Sequence, residues 1–380
     1  MLDRKLWRSF DWALYAAVLL VSFFGTLIIA SASAGNEYAS MPFWNAVIES
    51  LKNNGLVQKQ LLWILIGQAV MLTVVLVDYQ IWSGLTYPIY LGALGLLVIV
   101  LLVGSTGGGA QRWISLGGFG VLQPSELAKI AVIMVLAKGL EKIGRPDTLW
   151  KLFLVGLHIV PPAALIVIQP DLGTSLVFIA FTVTILLAAG LTPRLFALMS
   201  AAAIAATPVI WLRGLRDYQR SRLLVFLDPT KDPSGEGYHI LQSIIAVGSG
   251  MFAGRGMFRG PQAQLNFLPA QHTDFVFSVV GEELGFVGVA LLLIALSFIV
   301  LRIYRIAGIA KDDYGRLVSV GVATYFAFQI LVNTGMTAGI MPITGLPLPL
   351  MSAGGSSYLA TCIGVGLVLN IGMRRKKILF

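Results

Sequence analysis

Apolar runs of about 20 residues recur from one end of the chain to the other, and each is long enough to cross a hydrocarbon core of roughly 30 Å as a helix. Every other reading has to satisfy that constraint. With 57% of 380 residues hydrophobic, only 12% charged and a mean hydropathy of +0.83, the chain carries too much apolar surface for a soluble core. Backbone polar groups in lipid must be satisfied within their own segment, so the runs read as helices; a barrel would show short alternating strands. The first run, DWALYAAVLLVSFFGTLIIASASA, follows basic residues and ends in small ones, as a signal peptide does. It is too long for that, and too many spans follow. The one cysteine, Cys362, lies inside a span, which excludes a disulfide framework and a thiolate metal site and leaves the redox compartment unread.

The expected spans are 11–33, 59–78, 82–103, 124–142, 150–169, 171–189, 194–212, 274–306, 315–340 and 352–373, ten in all. This is an all-α polytopic membrane protein, residues 1–380 forming one integral membrane domain with one long extracytoplasmic loop. The net charge of +9 is a topology signal rather than a nucleic-acid footprint, because the basic residues flank spans. With the N-terminus in the cytoplasm, the inner segments collect Arg4, Lys5, Arg8, Lys138, Lys142, Arg145, Lys151, Arg194, Arg302, Arg305, Lys311, Arg316, Arg374, Arg375, Lys376 and Lys377. The short outer segments hold only Lys52, Lys59 and Arg112, so the positive-inside rule places both termini in the cytoplasm.

The long loop, about 213–273, carries Arg213, Arg216, Arg220, Arg222, Lys231, Arg255 and Arg259. A second outer loop, GSTGGGAQRWISLGGFGVLQ, is rich in glycine, and a third, PITGLPLPLMSAGGSS, is uncharged and rich in proline and glycine. Irregular backbone at membrane depth is tolerated only against protein or a water-filled cavity, so the three loops are expected to roof a cavity open to the outside. No internal repeat supports an inverted-repeat transporter.

Several ionisable residues fall in or beside spans, where charge is costly unless paired. In QPSELAK, Glu126 and Lys129 are three apart on one helical face, each the other's expected partner, either as a structural ion pair or as part of a site. In QPDLGTS, Asp171 is either a helix N-cap or a site residue. His158 reads as a packed histidine bonded to a neighbour. Arg112 and Trp113 form either an interfacial anchor or a pair in which arginine meets phosphate while the indole covers a sugar or lipid. In LPAQHTDFVFSVVGEELG, Glu282 and Glu283 lie about two turns past Asp274, and Glu283 reads as buried support. Asp274 opens the eighth span, where it is an N-cap or a base. The arginines crowding the preceding loop and the glycines of GSGMFAGRGMFRG favour the base: ionised among cations, it takes a proton from a hydroxyl while the arginines hold a departing phosphate.

The motif set resembles the shape, elongation, division and sporulation (SEDS) family of bacterial membrane proteins. NTGMTAGIMPITGLPLPLMSAGGSS looks like that family's C-terminal signature, and AQRWISLG, QPSELAK, QPDLGTS, GSGMFAGRGMFRG and LPAQHTDFVFSVVGEELG match its other landmarks in order. GYHILQS and PQAQLNFLPAQHTDF look more like the RodA elongation branch than the FtsW division branch. The resemblance implies ten transmembrane helices in the bacterial inner membrane and a peptidoglycan glycosyltransferase using lipid II. In that reaction the 4-hydroxyl of a terminal GlcNAc attacks the anomeric carbon of a lipid-linked MurNAc, and undecaprenyl pyrophosphate departs. Carried over residue by residue, it implies Asp274 as general base, Arg112 with Trp113, Glu126 with Lys129 and Asp171 around the substrate, and Arg220 and His272 as further contacts. It also implies work alongside a class B penicillin-binding protein within the elongation machinery, in contact with membrane lipid, and a divalent cation, Mg or Mn, at the pyrophosphate. Nothing in the sequence itself forms a metal cluster. Ala270 stands where many relatives have glutamate, and the Trp113 to Gln123 spacing is one residue longer than the family pattern. A lipid II flippase, an FtsW-type division enzyme and a recruiting scaffold are the alternatives; a flippase needs acid-base groups near mid-bilayer, whereas the suspicious residues here gather on the outer side.

Overall fold

Asp11, Asp78, Asp171 and Asp312 stand where helices begin, and in each case the carboxylate accepts a backbone N–H of the first turn. That placement follows from the four unpaired N–H groups at every helix start and the positive end of its dipole. In the computed structural model, which describes residues 7–107, 110–115, 117, 120–233 and 235–375, these caps punctuate a predominantly helical chain. The expected inner residues Arg4, Lys5, Lys376 and Lys377 lie outside the described residues.

The chain runs through α1 (Trp12–Ala32), α2 (Phe43–Asn53), α3 (Gly55–Leu76), α4 (Tyr79–Gly84), α5 (Thr86–Val103), α6 (Pro124–Ile143), α7 (Leu149–Ile168), α8 (Leu172–Ala188) and α9 (Pro193–Val209). There follow α10 (Asp217–Leu227), α11 (Glu236–Ser249), α12 (Pro261–Gln264), α13 (Val276–Ile309), α14 (Asp313–Thr337) and α15 (Gly355–Met373). All ten expected spans are helical, but among the described residues eight helices are both long and apolar enough to cross a membrane. Two fall short for separate reasons. α8 has 17 residues, about 26 Å of rise, and α6 carries Glu126, Lys129, Lys138, Glu141 and Lys142 along its 20 residues. Glu126 and Lys129 are buried, since α6 packs inside the bundle against α5, α7, α14 and α15, while Lys138 is half-buried and Glu141 and Lys142 are exposed at its C-terminal end. α9 is the opposite case, with no buried residue at all.

Two expected loops are structured. The glycine-rich segment forms a three-stranded antiparallel sheet, β1 (Ser105–Gly107), β2 (Ala110–Ser115) and β3 (Val121–Leu122), in that order, with Ser105 opposite Trp113 and Ile114 opposite Leu122. The long loop holds α10, α11 and α12, and α11 leaves Leu241, Ile244 and Ile245 exposed on one face.

The expected span 274–306 is also interrupted. α13 covers 34 residues, about 51 Å, too long for one crossing, and it breaks at Gly285, where φ is +63°. The glycine loop enters the break: Arg255 N and Gly256 N donate to the carbonyls of Glu282 and Glu283 at 3.0 and 2.8 Å, while Phe286 N and Val287 N donate to those of Met251 and Phe252 at 2.9 and 3.2 Å. Glu282 and Glu283 secure the same loop. Glu282 accepts from Gln262 N and Ala263 N at 2.8 and 3.1 Å, and Glu283 from Phe258 N and Ser31 Oγ at 3.1 and 2.5 Å. Gly254 is required in this joint: its φ is +82°, and a Cβ there would lie 2.2 Å from the Glu283 carbonyl. Gly254→Ala is expected to lower stability by about 2 kcal/mol, read as an earlier thermal unfolding in detergent. Gly248→Ala, in open space on α11, is the control that should unfold with the wild type.

The first and last described residues lie at one end of the bundle. There Arg302 pairs with Asp11 at 2.7 Å, Arg374 with Asp78 at 3.0 Å, and Tyr79 Oη donates to Asp312 at 2.5 Å. α13 and α15 start at the other end, where residues 342–357 meet the three-stranded sheet and the segment before α13.

Candidate active site

The proline- and glycine-rich loop of residues 342–357 acts as the fastener at the end opposite Arg8 and Arg375. Asn333 Nδ2 on α14 donates to the carbonyls of Asp274 and Leu346 at 2.9 and 2.8 Å, Ser352 Oγ to that of Thr273 at 2.6 Å, and Ala353 N to that of His272 at 2.8 Å. Ser356 Oγ accepts from Gln123 N at 2.9 Å and donates to Val121 O at 3.2 Å, which ties in the sheet. The result is a cavity of about 430 Å³ lined by residues from all three expected loops.

Asp274 lines it and is half-buried. It does not cap α13: the N-cap position is Phe275, with no side-chain cap bond. Its carboxylate, unlike those of Asp11, Asp78, Asp171 and Asp312, is therefore not consumed by a helix start. Burial raises its pKa from 3.8 to about 6, Glu236 adds to the rise, and Arg222 and a hydrogen bond from Thr273 oppose it. Gly345 leaves its face open, since a Cβ there would sit 3.7 Å from Asp274 Oδ2.

Glu126 also lines the cavity. Its Oε1 accepts from the fully buried Lys129 Nζ at 2.7 Å, and its Oε2 has no hydrogen-bond partner among the described residues. Lys129 lies behind it, 4.9 Å above the Tyr325 ring, away from the cavity wall. Asp171 lines the wall and at the same time caps α8, accepting from Thr174 N at 3.1 Å and Thr174 Oγ1 at 2.9 Å. Arg112 is anchored: Nε donates to Gln169 O at 3.2 Å, Nη2 to Pro170 O and to Tyr218 Oη, and Nη1 stands 3.9 Å from Asp171. Both it and Trp113 face the cavity.

Two expected residues lie elsewhere. Arg220 turns back to Leu212 O at 2.9 Å and Asp217 at 3.7 Å, off the cavity wall. His272 contributes its carbonyl to the fastener, and burial pushes its imidazole pKa down, which favours the neutral ring. Besides Arg112, the guanidinium lining the cavity comes from Arg222, held by Glu236 at 2.8 Å. Arg220 and Arg222 are two apart on α10 and so point to nearly opposite faces. The signal was present in DYQRSRLLVFL, where Tyr218, Arg222 and the buried Val225 fall on one stripe, once the segment is read as a helix instead of a loop. His158 is packed as expected, with Nδ1 3.0 Å from Leu154 O.

Among the described residues no three His, Cys, Asp or Glu side chains converge. The donor set does not fit a resident divalent cation, so no chemical step is routed through one.

This arrangement of an acid that caps no helix, two arginines and a second acid with a free oxygen among the described residues sits in a chain similar to several known proteins. A profile described as cell cycle protein, FtsW/RodA/SpoVE, matches residues 11–377. The chain is 37% identical to the peptidoglycan glycosyltransferase MrdB of Escherichia coli K12, over 89% of this chain and 90% of that one. It is 36% identical to the probable peptidoglycan glycosyltransferase FtsW of Geobacter metallireducens, over 99% and 98%. The rod shape determining protein RodA of Thermus thermophilus superposes with a TM-score of 0.70 at 30% identity, covering 97% of this chain and 98% of that one. A chain of a peptidoglycan synthase complex, solved to describe coordination of polymerization and crosslinking, superposes at 0.78 with 35% identity, covering 96% and 98%. By profile, sequence and fold together, the chain belongs to the FtsW/RodA/SpoVE family of cell cycle proteins.

Proposed function

We propose that this protein is a peptidoglycan glycosyltransferase that polymerises lipid II into glycan strands. The observation that carries the reading is the Asp274 carboxylate, which caps no helix and lines, together with Arg222, a cavity built by three loops. As general base it takes the proton of the acceptor's 4-hydroxyl while that oxygen attacks the anomeric carbon of the donor. The bond from that carbon to the pyrophosphate breaks, its electron pair stays on the departing oxygen, and undecaprenyl pyrophosphate leaves. Arg222 answers the developing negative charge. Glu126 Oε2 supplies an acceptor for a sugar hydroxyl or peptide amide, and Trp113 an apolar face for a sugar ring.

The cavity faces the outside of the bacterial inner membrane in this reading and both termini the cytoplasm, in keeping with the crowd of arginines and lysines at the termini end. The partner is a class B penicillin-binding protein, a transpeptidase that crosslinks the new strand. Relatives named MrdB and FtsW are equally similar, at 37% and 36% identity, so the assignment to elongation rests on GYHILQS and PQAQLNFLPAQHTDF alone. The deciding experiment uses purified protein, its partner with the active serine disabled, and labelled lipid II: the pair should yield polymer on a gel. Lipid II crossing sealed vesicles with no polymer formed would mean a flippase instead.

The base must be ionised, so kcat/KM should fall as pH drops through about 6, the Asp274 value. Arg222 holds that value down, so Arg222→Gln should move the acid limb of the profile to higher pH as well as slow the reaction. An acid limb that stays in place in Arg222→Gln would separate the arginine from the base.

A further inference from the structure

A second cavity, of about 210 Å³, lies at the termini end, between the start of α1 and the ends of α13 and α15. Four guanidinium groups line it, from Arg8, Arg302, Arg305 and Arg375, against one carboxylate, Asp11. That carboxylate is already committed: its Oδ1 caps Leu14 N at 3.0 Å, and its two oxygens accept from Arg302 at 2.7 and 3.1 Å. Among the described residues, Arg8, Arg305 and Arg375 have no acidic partner. Three cations sharing one recess repel each other, and a phosphate, whose oxygens match the planar guanidinium fork, turns that repulsion into attraction.

The recess also has an apolar wall, from Phe10 and Ile306. Beside it Trp7, Phe10, Trp12 and Tyr15 form an aromatic cluster with centroid separations from 4.7 to 6.3 Å. Such a cluster marks the level at which a helix passes from hydrocarbon into the headgroup layer, and basic recesses between helices at that level suit anionic headgroups. A soluble anion gives no reason for the aromatic cluster beside the arginines. We propose that this recess binds the phosphate headgroup of an anionic phospholipid in the leaflet adjoining the termini, joining α1 to α13 and α15 at the end remote from Asp274.

The test compares purified protein in neutral detergent with added phosphatidylglycerol, phosphatidylcholine or inorganic phosphate, followed by thermal unfolding and by native mass spectrometry of retained lipid. Phosphatidylglycerol is expected to stay bound and to raise the unfolding temperature, and the other two are not. R8Q/R305Q/R375Q, which keeps the Arg302–Asp11 pair, should hold phosphatidylglycerol on the order of 100-fold more weakly and unfold with the wild type in phosphatidylcholine. Should that variant fail to fold, Arg305→Gln alone should lose roughly five- to tenfold. Equal retention of the two lipids, or undiminished retention of phosphatidylglycerol by the arginine variants, would overturn the proposal. Full protection by inorganic phosphate would replace the lipid with a soluble anion and overturn it equally.

Discussion

Asp274→Asn is expected to abolish glycan polymerisation while the protein folds and binds its partner normally. The substitution keeps the shape of the side chain and removes only its ability to take a proton, and positioned general bases contribute about 10² to 10⁴ in rate. Stability should change little, because the carboxylate caps no helix and the neighbouring clamp from Asn333 holds the Asp274 carbonyl, which the variant retains. Polymer from labelled lipid II, measured beside the thermal unfolding temperature and partner co-purification, separates the cases. A variant that polymerises at the wild-type rate would remove Asp274 from the chemistry, and one that unfolds early would show the residue to be structural.

The second large effect is expected at Lys129. Its ammonium is fully buried, 2.7 Å from Glu126 and above the Tyr325 ring. Lys129→Met preserves most of the volume but leaves Glu126, itself only 2% exposed, without its counter-charge. Breaking a buried pair from one side costs about 3 to 5 kcal/mol. Glu126→Gln/Lys129→Met removes both charges and should recover most of that loss, so a double-mutant cycle in detergent should give a large coupling energy. Additive effects of the two single variants would show that the pair is not a coupled unit. Activity should remain impaired in the double variant if Glu126 Oε2 also receives substrate.

Much of this was legible before any coordinates. Hydropathy alone located every helix that forms the bundle, because a lipid environment leaves the backbone few alternatives. The pairing of Glu126 with Lys129 followed from their spacing, and the capping role of Asp171 was one of two readings left open, now seen together with its place on the cavity wall. The misses share a cause. Arg220 as a substrate contact, the long segment as a loop and 274–306 as one uninterrupted span all depend on where a helix starts, stops or turns its face. Those boundaries are set by tertiary partners: the carbonyls that Asn333 gathers, the Glu236 that aims Arg222, and the loop residues that complete the break at Gly285. Hydrophobic periodicity carries no record of partners so distant in the chain.

The break at Gly285 separates two mechanical duties. Below it, the segment from Phe286 onward buries Leu292, Leu296, Ile299 and Ile303 in the bundle and pairs Arg302 with Asp11 at 2.7 Å, so its tilt is set by the helices it packs against. Above it, residues 276–284 are splinted to the glycine loop through backbone bonds on both sides of the joint, so the stub that follows Asp274 takes its orientation from that loop. The two halves of α13 thus take their orientations from different partners, the lower from the bundle and the upper from the glycine loop.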